Sequence, residues 1–322
     1  MKSRFKTAIL TGPGQFGFED RPLLPPERGQ VRVRLEGCGV CGSNLPVWEG
    51  RPWFNYPLEP GKPGHEGWGV VDEVGADVVH IKPGDRVAAL SQNAFAEYDF
   101  CDASSVVKLP DALSEQPFPG EALGCAMNVF RRCDIQPHHH VAVVGLGFLG
   151  ALLTQLCARA GAQTYAISRR PFALEIGQQM GATKTIALDD HWRVIEEVKR
   201  LTGREGCERV IEATGLQAPL DLASELTAER GRLIIAGYHQ DGLRQVNMQL
   251  WNWRGIDVIN AHERDPRIYV QGMADAAAAV ALGQLDPTPL YTHRFALDGL
   301  PRALNQMHDR EDGFLKALVT YD

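Results

Sequence analysis

The glycine-rich segment Gly145-Leu146-Gly147-Phe148-Leu149-Gly150 constrains the fold more than any other feature of the sequence. It follows an apolar run at 141–144 and opens a stretch with helical periodicity, so the local order is strand, turn, helix. The first glycine permits a tight turn, the second lets the backbone approach a pyrophosphate, and the third allows close packing of helix on strand. The segment therefore predicts a dinucleotide-binding loop, with Phe148 and Leu149 among the residues that contact the cofactor.

The pattern of strands and helices around this loop changes along the chain. Residues 128–264 predict strands that alternate with helices, the arrangement of a parallel, doubly wound sheet of the α/β class. The apolar strand runs lie at 141–144, 164–167, 209–211, 232–235 and 257–259, and helical patterns lie at 150–160, 171–180 and 191–201. Residues 1–127 carry short β-like runs split by Gly and Pro, which predict a mostly antiparallel, barrel-like domain. Residues 265–322 begin with an alanine-rich helix at 268–282.

The end of the second predicted strand indicates which nicotinamide cofactor is bound. An acidic residue about 20 positions beyond the glycine loop would hydrogen-bond the ribose 2′-hydroxyl of NAD(H). This chain has Ser168 there, followed by Arg169 and Arg170. A carboxylate repels a 2′-phosphate, whereas a hydroxyl and guanidinium groups bind one. The sequence predicts NADP(H) in preference to NAD(H), and the alternative is that one arginine stacks on adenine while the other faces solvent.

The first domain contains a set of residues that can bind a metal ion. Cys41 lies on a glycine-rich turn after a strand, the pair His65-Glu66 follows, and Glu121 and Cys125 come just ahead of the nucleotide domain. Cysteine, histidine and carboxylate are the ligands of catalytic zinc, which takes three from the protein and keeps one position open. The Cys38-Cys41 spacing alone also fits a redox pair.

Gly64-His65-Glu66-x-x-Gly69-x5-Gly75-x-x-Val78 resembles the zinc signature of the alcohol dehydrogenase family within the medium-chain dehydrogenase/reductase superfamily. Together with Cys41, the glycine loop and the chain length, the resemblance extends over essentially the whole sequence. It implies a GroES-like catalytic domain whose C-terminal part returns after an inserted Rossmann domain. The segment Glu121-Ala-Leu-Gly-Cys125 is similar to that of the sorbitol dehydrogenase-like branch.

The resemblance also implies roles for individual residues. Cys41 and His65 match the first two zinc ligands, and Glu66 matches the neighbouring carboxylate that binds zinc directly or exchanges with water. The third ligand is Glu121 or Cys125: Glu121 occupies the position used by the polyol branch, while Cys125 is a softer ligand that falls four residues later. Lys316 resembles a basic residue that touches the cofactor pyrophosphate.

Three positions depart from the family pattern. Asn44 replaces an aspartate that orients the zinc-bound histidine, so we expect Asn44 to accept a hydrogen bond without supplying charge. Pro46 replaces a proton-relaying histidine, which leaves Ser43 to take the alcohol proton. Cys101 is the only cysteine between Ser91 and Pro110, where relatives carry a four-cysteine lobe, so one catalytic zinc and no structural zinc are expected.

Composition excludes several other classes of protein. With 33 basic and 40 acidic residues among 322, the net charge is −7, which disfavours nucleic-acid and anionic-membrane partners. Seven scattered cysteines do not form a disulfide framework, and the apolar stretch at 141–160 is broken by glycines, so a cytoplasmic protein is expected. The strand near 257 is an edge that relatives pair across subunits, so a homodimer or homotetramer is expected.

The combined prediction is a zinc-dependent oxidoreductase that transfers hydride between NADP(H) and a small-molecule secondary alcohol or polyol, or the matching ketone. Two alternatives stay open at this point. One is a zinc-free quinone or enoyl reductase of the same superfamily, although such relatives generally lack the ligands found at Cys41 and His65. The other is a non-catalytic protein that senses NADPH.

Overall fold

The computed structural model describes residues 2–321 and divides them into two compact units. The first unit runs from the N-terminus to Gly124 and is completed by Arg264–Asp286 and by the segment from Tyr291 onward. The second unit consists of Cys125–Glu263 and Pro287–Leu290. The predicted segment 265–322 therefore does not lie wholly in the first unit, because Pro287–Leu290 belongs to the second. Leu290, at the end of this short stretch, is fully buried.

The strands, in chain order, are β1 (Arg4–Gly12), β2 (Gln15–Pro22), β3 (Gln30–Val40), β4 (Glu66–Val74), β5 (Arg86–Ala89), β6 (Tyr98–Asp102), β7 (Val106–Lys108), β8 (His140–Val144), β9 (Gln163–Ser168), β10 (Lys184–Ala187), β11 (Cys207–Glu212), β12 (Thr227–Ile235), β13 (Asp257–Asn260), β14 (His293–Ala296) and β15 (Ala317–Thr320). The α-helices are α1 (Leu45–Glu49), α2 (Gly120–Cys133), α3 (Phe148–Arg159), α4 (Pro171–Gln179), α5 (His191–Thr202), α6 (Gln217–Leu226), α7 (Met248–Arg254), α8 (Pro266–Ala281) and α9 (Leu300–Asp309).

The second unit is built on a six-stranded parallel sheet in the order β10-β9-β8-β11-β12-β13. This is the Rossmann order, in which the first strand lies at the centre and the order reverses beside it. The β8 residues Val141 to Val144 are fully buried, with alternate side chains in two separate clusters. Burial on both faces explains why this strand is a continuous apolar run. The predicted doubly wound α/β class is confirmed.

The first unit contains a seven-stranded sheet and the β1–β2 hairpin. Five strands follow each other as β15-β3-β4-β5-β7 with antiparallel pairing, while β14 joins β15 in parallel and β6 pairs with β3. The register sets Val319 of β15 opposite Cys38 of β3, so the end of the chain completes a sheet begun near its start. Residues of these strands form one large core, and the predicted mostly antiparallel domain is confirmed.

No helix in residues 2–321 combines the length and the apolar character needed to cross a membrane.

Candidate active site

Cys41, His65 and Glu66 are brought together by the register of two neighbouring strands. Cys41 follows β3, and His65 immediately precedes β4, which begins with Glu66. These strands pair antiparallel, with Gly39 opposite Glu66, so the end of one strand meets the start of the other. One ligand atom from each of the three side chains lies within 4.8 Å of the others. The predicted donors therefore form a compact cluster within the first unit.

Hydrogen bonding decides which nitrogen of His65 can bind a metal ion. Nδ1 lies 2.9 Å from the carbonyl oxygen of Pro63, which can only accept a hydrogen bond. In the neutral imidazole Nδ1 therefore carries the proton, and Nε2 keeps the lone pair that a metal requires. The hydroxyl of Ser43 lies 3.4 Å from Nε2. The carbonyl of Pro63 is a functional group that the sequence motif does not reveal.

Asn44 is buried. It does not contact the imidazole of His65, although the resemblance implied that it would orient this ring. Its Oδ1 accepts a hydrogen bond from the backbone N–H of Cys41 at 3.0 Å. Its Nδ2 donates to the carbonyl of Pro63 at 3.1 Å. The expectation that Asn44 accepts a hydrogen bond from His65 is wrong, because Nδ1 of His65 is bonded to the carbonyl of Pro63. The amide of Asn44 contacts that carbonyl and not the imidazole.

Glu66 and Lys316 form a buried ion pair. The side chains of Glu66 and Lys316 are 0% and 4% exposed, and the ammonium lies 2.7 Å from Oε1 and 2.5 Å from Oε2. Burial by itself lowers the pKa of Lys316, but the charges of Glu66, Cys41 and Glu121 outweigh it and raise that pKa. The sequence did not predict this pair, and the contact of Lys316 with a cofactor pyrophosphate stays a prediction.

Gly39 provides the space for the Glu66 carboxylate. A Cβ atom at this position would lie 1.8 Å from Oε2 of Glu66, a distance that non-bonded atoms cannot occupy, and at a tight 3.1 Å from Cε of Lys316. No sequence motif singles out this glycine. The only local signal is its position between Cys38 and Cys41 on the strand that pairs with the Glu66 segment.

Negative groups dominate the electrostatics around His65, even with the ammonium of Lys316 beside Glu66. Burial lowers the pKa of His65, but the negative charges of Cys41, Glu121 and Glu66, with a hydrogen bond to Cys41, outweigh burial and raise this pKa to about 10. A divalent cation would supply the missing charge. Thiolate sulfur, imidazole nitrogen and carboxylate oxygen are the donor atoms of zinc sites, so the residues present fit zinc.

The two candidates for the third ligand occupy one helix but different units. Glu121 is the second residue of α2 and belongs to the first unit, and its charge contributes to the raised pKa of His65. Cys125 is the first residue of the second unit. Neither belongs to the three-residue cluster described above.

The glycine loop of the second unit has the geometry that its sequence predicted. Gly145 has a φ of +101°, a left-handed conformation that favours glycine, and a Cβ at Gly150 would lie 1.9 Å from the carbonyl oxygen of Gly145. Around Gly147 there is open space. The 12-residue helix α3 begins at Phe148, and helix N-termini attract phosphate through their backbone N–H groups and dipole. Leu149 lies in the first turn of this helix.

Ser168 and the two arginines lie beside this loop. The backbone N–H of Gly145 donates to the carbonyl of Ile167 at 2.9 Å, so the end of β9 adjoins the first glycine. The hydroxyl of Ser168 accepts a hydrogen bond of 3.3 Å from the backbone N–H of Arg170. Arg169 is exposed and Arg170 is half-buried.

Comparisons with known proteins agree with both parts of the structure. Residues 27–111 match the alcohol dehydrogenase GroES-like domain, and residues 149–278 match the zinc-binding dehydrogenase domain. The chain is 28% identical over 326 residues to sorbitol dehydrogenase of Homo sapiens, covering 90% of this chain and 89% of that enzyme. It is 27% identical over 373 residues to S-(hydroxymethyl)glutathione dehydrogenase of Photobacterium damsela subsp. piscicida, covering 96% and 97% of the two chains.

Among solved structures, a putative zinc-binding dehydrogenase from Sinorhizobium meliloti 1021 bound to NADP shares the fold. The TM-score is 0.86 at 22% identity, with 99% of this chain and 100% of that chain covered. A Rossmann sheet, a GroES-like unit and a Cys–His–carboxylate cluster in one chain define a zinc-binding dehydrogenase. The chain belongs to the zinc-containing alcohol dehydrogenase family of the medium-chain dehydrogenase/reductase superfamily, in its sorbitol dehydrogenase-like branch.

Proposed function

We propose that this protein is a zinc-dependent oxidoreductase that transfers hydride between NADP(H) and a secondary alcohol or polyol, or the matching ketone. The observation that carries the proposal is the convergence of Cys41, His65 and Glu66 to within 4.8 Å, with His65 presenting Nε2. The similarity to proteins named sorbitol dehydrogenase supports a polyol or related alcohol as substrate.

Cys41, His65 and Glu121 would hold the zinc ion. Glu121 is preferred over Cys125 because it lies in the same compact unit as the other two ligands and its charge acts on His65. Glu66 would not be a main zinc ligand, because its charge is neutralised by Lys316. The ion pair would keep its carboxylate close to the ligands. When bound, zinc supplies Lewis-acid chemistry that lowers the pKa of an alcohol and stabilises its alkoxide.

Ser43 would accept the proton of the substrate hydroxyl, because its Oγ lies 3.4 Å from the nitrogen that faces the metal position. In oxidation Ser43 would pass its own hydroxyl proton on towards solvent as it takes the substrate's, and a bound nicotinamide would supply the acceptor for the hydrogen that leaves carbon as hydride. The products are a ketone and reduced cofactor. Pro46 has no titratable group, so the proton leaves by a route other than a histidine at this position.

Ser168, Arg169 and Arg170 support NADP(H) as the cofactor, since they offer a hydroxyl and two cationic side chains where a carboxylate would exclude a 2′-phosphate. Ser168→Asp tests this part of the proposal. The variant is expected to lose NADPH affinity by about tenfold or more, because like charges repel at short range, and to keep its NADH affinity. Equal losses for both cofactors would contradict the preference.

Zinc content and turnover of purified protein test the complete proposal. The wild type is expected to hold about one zinc per chain and to oxidise polyols with NADP. Cys41→Ser is expected to lose both zinc and turnover, whereas the control Cys207→Ala removes a buried thiol from β11 and is expected to keep both.

Other outcomes correspond to the alternative functions. Turnover of quinones or enoyl substrates without zinc would identify a zinc-free reductase. NADPH binding with no turnover across a panel of alcohols and ketones, in zinc-loaded protein, would identify a sensor. About two zinc ions per chain would reveal a structural site.

A further inference from the structure

Glu212, the last residue of β11, is a fully buried carboxylate outside the metal cluster. Its Oε1 accepts hydrogen bonds from the backbone N–H groups of Thr214 at 2.7 Å and Gly215 at 3.0 Å, and from the hydroxyl of Thr214. Its Oε2 accepts one from Nε2 of His239 at 3.0 Å. A buried carboxylate costs much free energy unless its oxygens are bonded, so these donors are what stabilise the charge at this position.

His239 extends this network to a guanidinium. Nε of Arg244 lies 2.9 Å from Nδ1 of His239, and an arginine nitrogen can only donate a hydrogen bond. Nδ1 therefore accepts, and Nε2 carries the hydrogen that Glu212 receives. The guanidinium also donates to the carbonyl of Gly215 at 2.7 Å and pairs with Asp241. One imidazole thus joins a carboxylate at the end of β11 to a guanidinium beyond β12.

Two glycines let the loop after β11 (213–216) and the loop after β12 (236–247) approach each other closely. A Cβ atom at Gly237 would lie 2.2 Å from the backbone nitrogen of Gly215 and 2.7 Å from Oε2 of Glu212. Gly215 has a φ of +76°, and a Cβ there would lie 2.5 Å from the carbonyl oxygen of Tyr238. Larger residues would push the loops apart, so the two loops are packed as one wall.

This wall borders the point at which the strand order of the sheet reverses. β8 and β11 are neighbours at that point, and open α/β sheets bind their ligands in the crevice outside the carboxyl ends of such strands. The glycine loop follows β8 and forms one side of the crevice. The loop after β11 forms the other side and lies directly against it, since a Cβ at Gly145 would lie 2.3 Å from Cγ2 of Thr214.

A Rossmann sheet has two halves, each of which binds one nucleotide of the dinucleotide. The half formed by β8, β9 and β10 includes Ser168, expected at the adenosine ribose, which leaves β11, β12 and β13 for the nicotinamide nucleotide. We propose that Glu212, His239 and Arg244 are positioning residues that hold the two loops in place for the nicotinamide half of the cofactor. This inference rests on the proposed function, from which it takes the binding of a nicotinamide dinucleotide.

The imidazole is the part of the network whose removal has a defined effect on the loops. Without it, Oε2 of Glu212 would be buried with no donor, and Arg244 would lose one of its acceptors. An unbonded buried oxygen is costly, so the carboxylate would rearrange. Because Oε1 of the same carboxylate binds Thr214 and Gly215, that rearrangement would move the side of the crevice that these two residues form.

Calorimetric titration of the full-length protein with a whole dinucleotide and with its adenosine half tests the proposal. The affinity of His239→Leu for NADPH is expected to fall by about tenfold. Its affinity for 2′,5′-ADP, which lacks the nicotinamide nucleotide, is expected to equal that of the wild type. General damage to the unit would weaken both ligands. If the wild type binds NADH more tightly than NADPH, NADH and AMP serve as the pair of ligands.

Two further variants of the network accompany His239→Leu. In His239→Gln the side-chain amide nitrogen can donate to Glu212, so this variant is expected to recover most of the NADPH affinity. Arg244→Met removes the other end of the network and is expected to weaken NADPH in the same direction, with 2′,5′-ADP unaffected. It provides the test if His239→Leu does not fold.

His140→Leu is the matched control. It makes the same change in the same unit, at the first residue of β8, where Nδ1 lies 2.6 Å from the hydroxyl of Tyr165. This is the amino end of the strand, opposite to the crevice. The control is expected to keep the wild-type affinities for NADPH and for 2′,5′-ADP, whatever its stability.

Unchanged NADPH affinity in folded His239→Leu would overturn the proposal, and so would an equal fall for 2′,5′-ADP. No recovery in His239→Gln would show that the bond to Glu212 is not what holds the loops. A wild type that binds neither dinucleotide would overturn the proposed function and this inference together. Titrating the wild type first distinguishes that failure from failure of the inference alone.

Discussion

The ammonium of Lys316 lies 2.7 Å from Oε1 of Glu66, and neither side chain is more than 4% exposed. A buried carboxylate that loses its partner keeps the full cost of its desolvation. Lys316→Met is therefore expected to lower the free energy of unfolding of zinc-free protein by about 3 kcal/mol or more, measured by urea denaturation. The double variant Lys316→Met/Glu66→Gln is expected to recover most of this loss, because no buried charge remains.

Lys199→Met is the control for this prediction. Lys199 pairs with the exposed carboxylates of Glu196 and Glu205, and such surface pairs contribute about 1 kcal/mol or less. An equally small effect at position 316 would show that the pair does not stabilise the unit.

Gly39→Ala is expected to displace the Glu66 carboxylate, since the new Cβ would lie 1.8 Å from Oε2. We expect a loss of about 1–3 kcal/mol of stability, as for other overpacked sites, together with reduced zinc content. Gly42→Ala, in the same segment, places its Cβ in open space and is expected to change stability by about 0.5 kcal/mol at most. Equal effects of the two substitutions in thermal melting would contradict the steric explanation.

Substitutions at Gly147 and Gly150 are expected to have different effects, the first on cofactor binding and the second on stability. Open space surrounds a Cβ at Gly147, so Gly147→Ala is expected to keep its melting temperature. Its NADPH affinity should fall by about tenfold or more, because the methyl group takes up space that the pyrophosphate needs. Gly150→Ala forces a Cβ to 1.9 Å from a carbonyl oxygen and is expected to lower the melting temperature. Calorimetric titration with NADPH measures the first effect, and an unchanged affinity for Gly147→Ala would contradict it.

Stability is expected to fall on acidification because of His140. Burial, with a smaller contribution from the charge of Arg204, lowers the pKa of His140 from its ordinary value of 6.5. The unfolded chain then binds more protons than the folded one, so this contribution to stability is present above about pH 6.5 and is lost as the pH falls through the lowered pKa.

The melting temperatures at about pH 7.5 and about pH 5.5 measure this effect. His140→Asn is expected to remove part of the acid-induced loss of stability, so the variant should gain stability relative to the wild type as the pH falls. The rest should persist, because burial also lowers the pKa of His139. The comparison is made between the two proteins because His65, whose pKa is raised to about 10, acts in the opposite direction in both. If the melting temperature of His140→Asn depended on pH as strongly as that of the wild type, His140 would not contribute to this dependence.

The sequence allowed most of the nucleotide-binding unit to be predicted, since its central strands are continuous apolar runs that are buried on both faces. Strand β10 was missed because it is short and amphipathic: in Lys184–Ala187 only Ile186 is fully buried, and Lys184 is exposed. Helix α3 was predicted within two residues of its observed start at Phe148.

The residues predicted as metal ligands could be singled out because they lie in a motif of fixed spacing, but the groups that contact them could not. The Glu66–Lys316 pair depends on the pairing of β15 with β3, which no local pattern indicates. The role of Asn44 depends on a backbone carbonyl, and every residue has one. Sequence reasoning identified the side chain and assigned it the wrong partner for that reason.

The pairing of β15 with β3 has a consequence for how the protein is made. Glu66 leaves the ribosome 250 residues before Lys316, and all of Cys125–Glu263 is synthesised in between. Until β15 emerges, the carboxylate lacks the ammonium of Lys316, and residues 37–40 of β3 lack the strand that pairs with them. The residues that would bind zinc are therefore translated well before Lys316, and the ion pair beside them can form only once β15 has emerged.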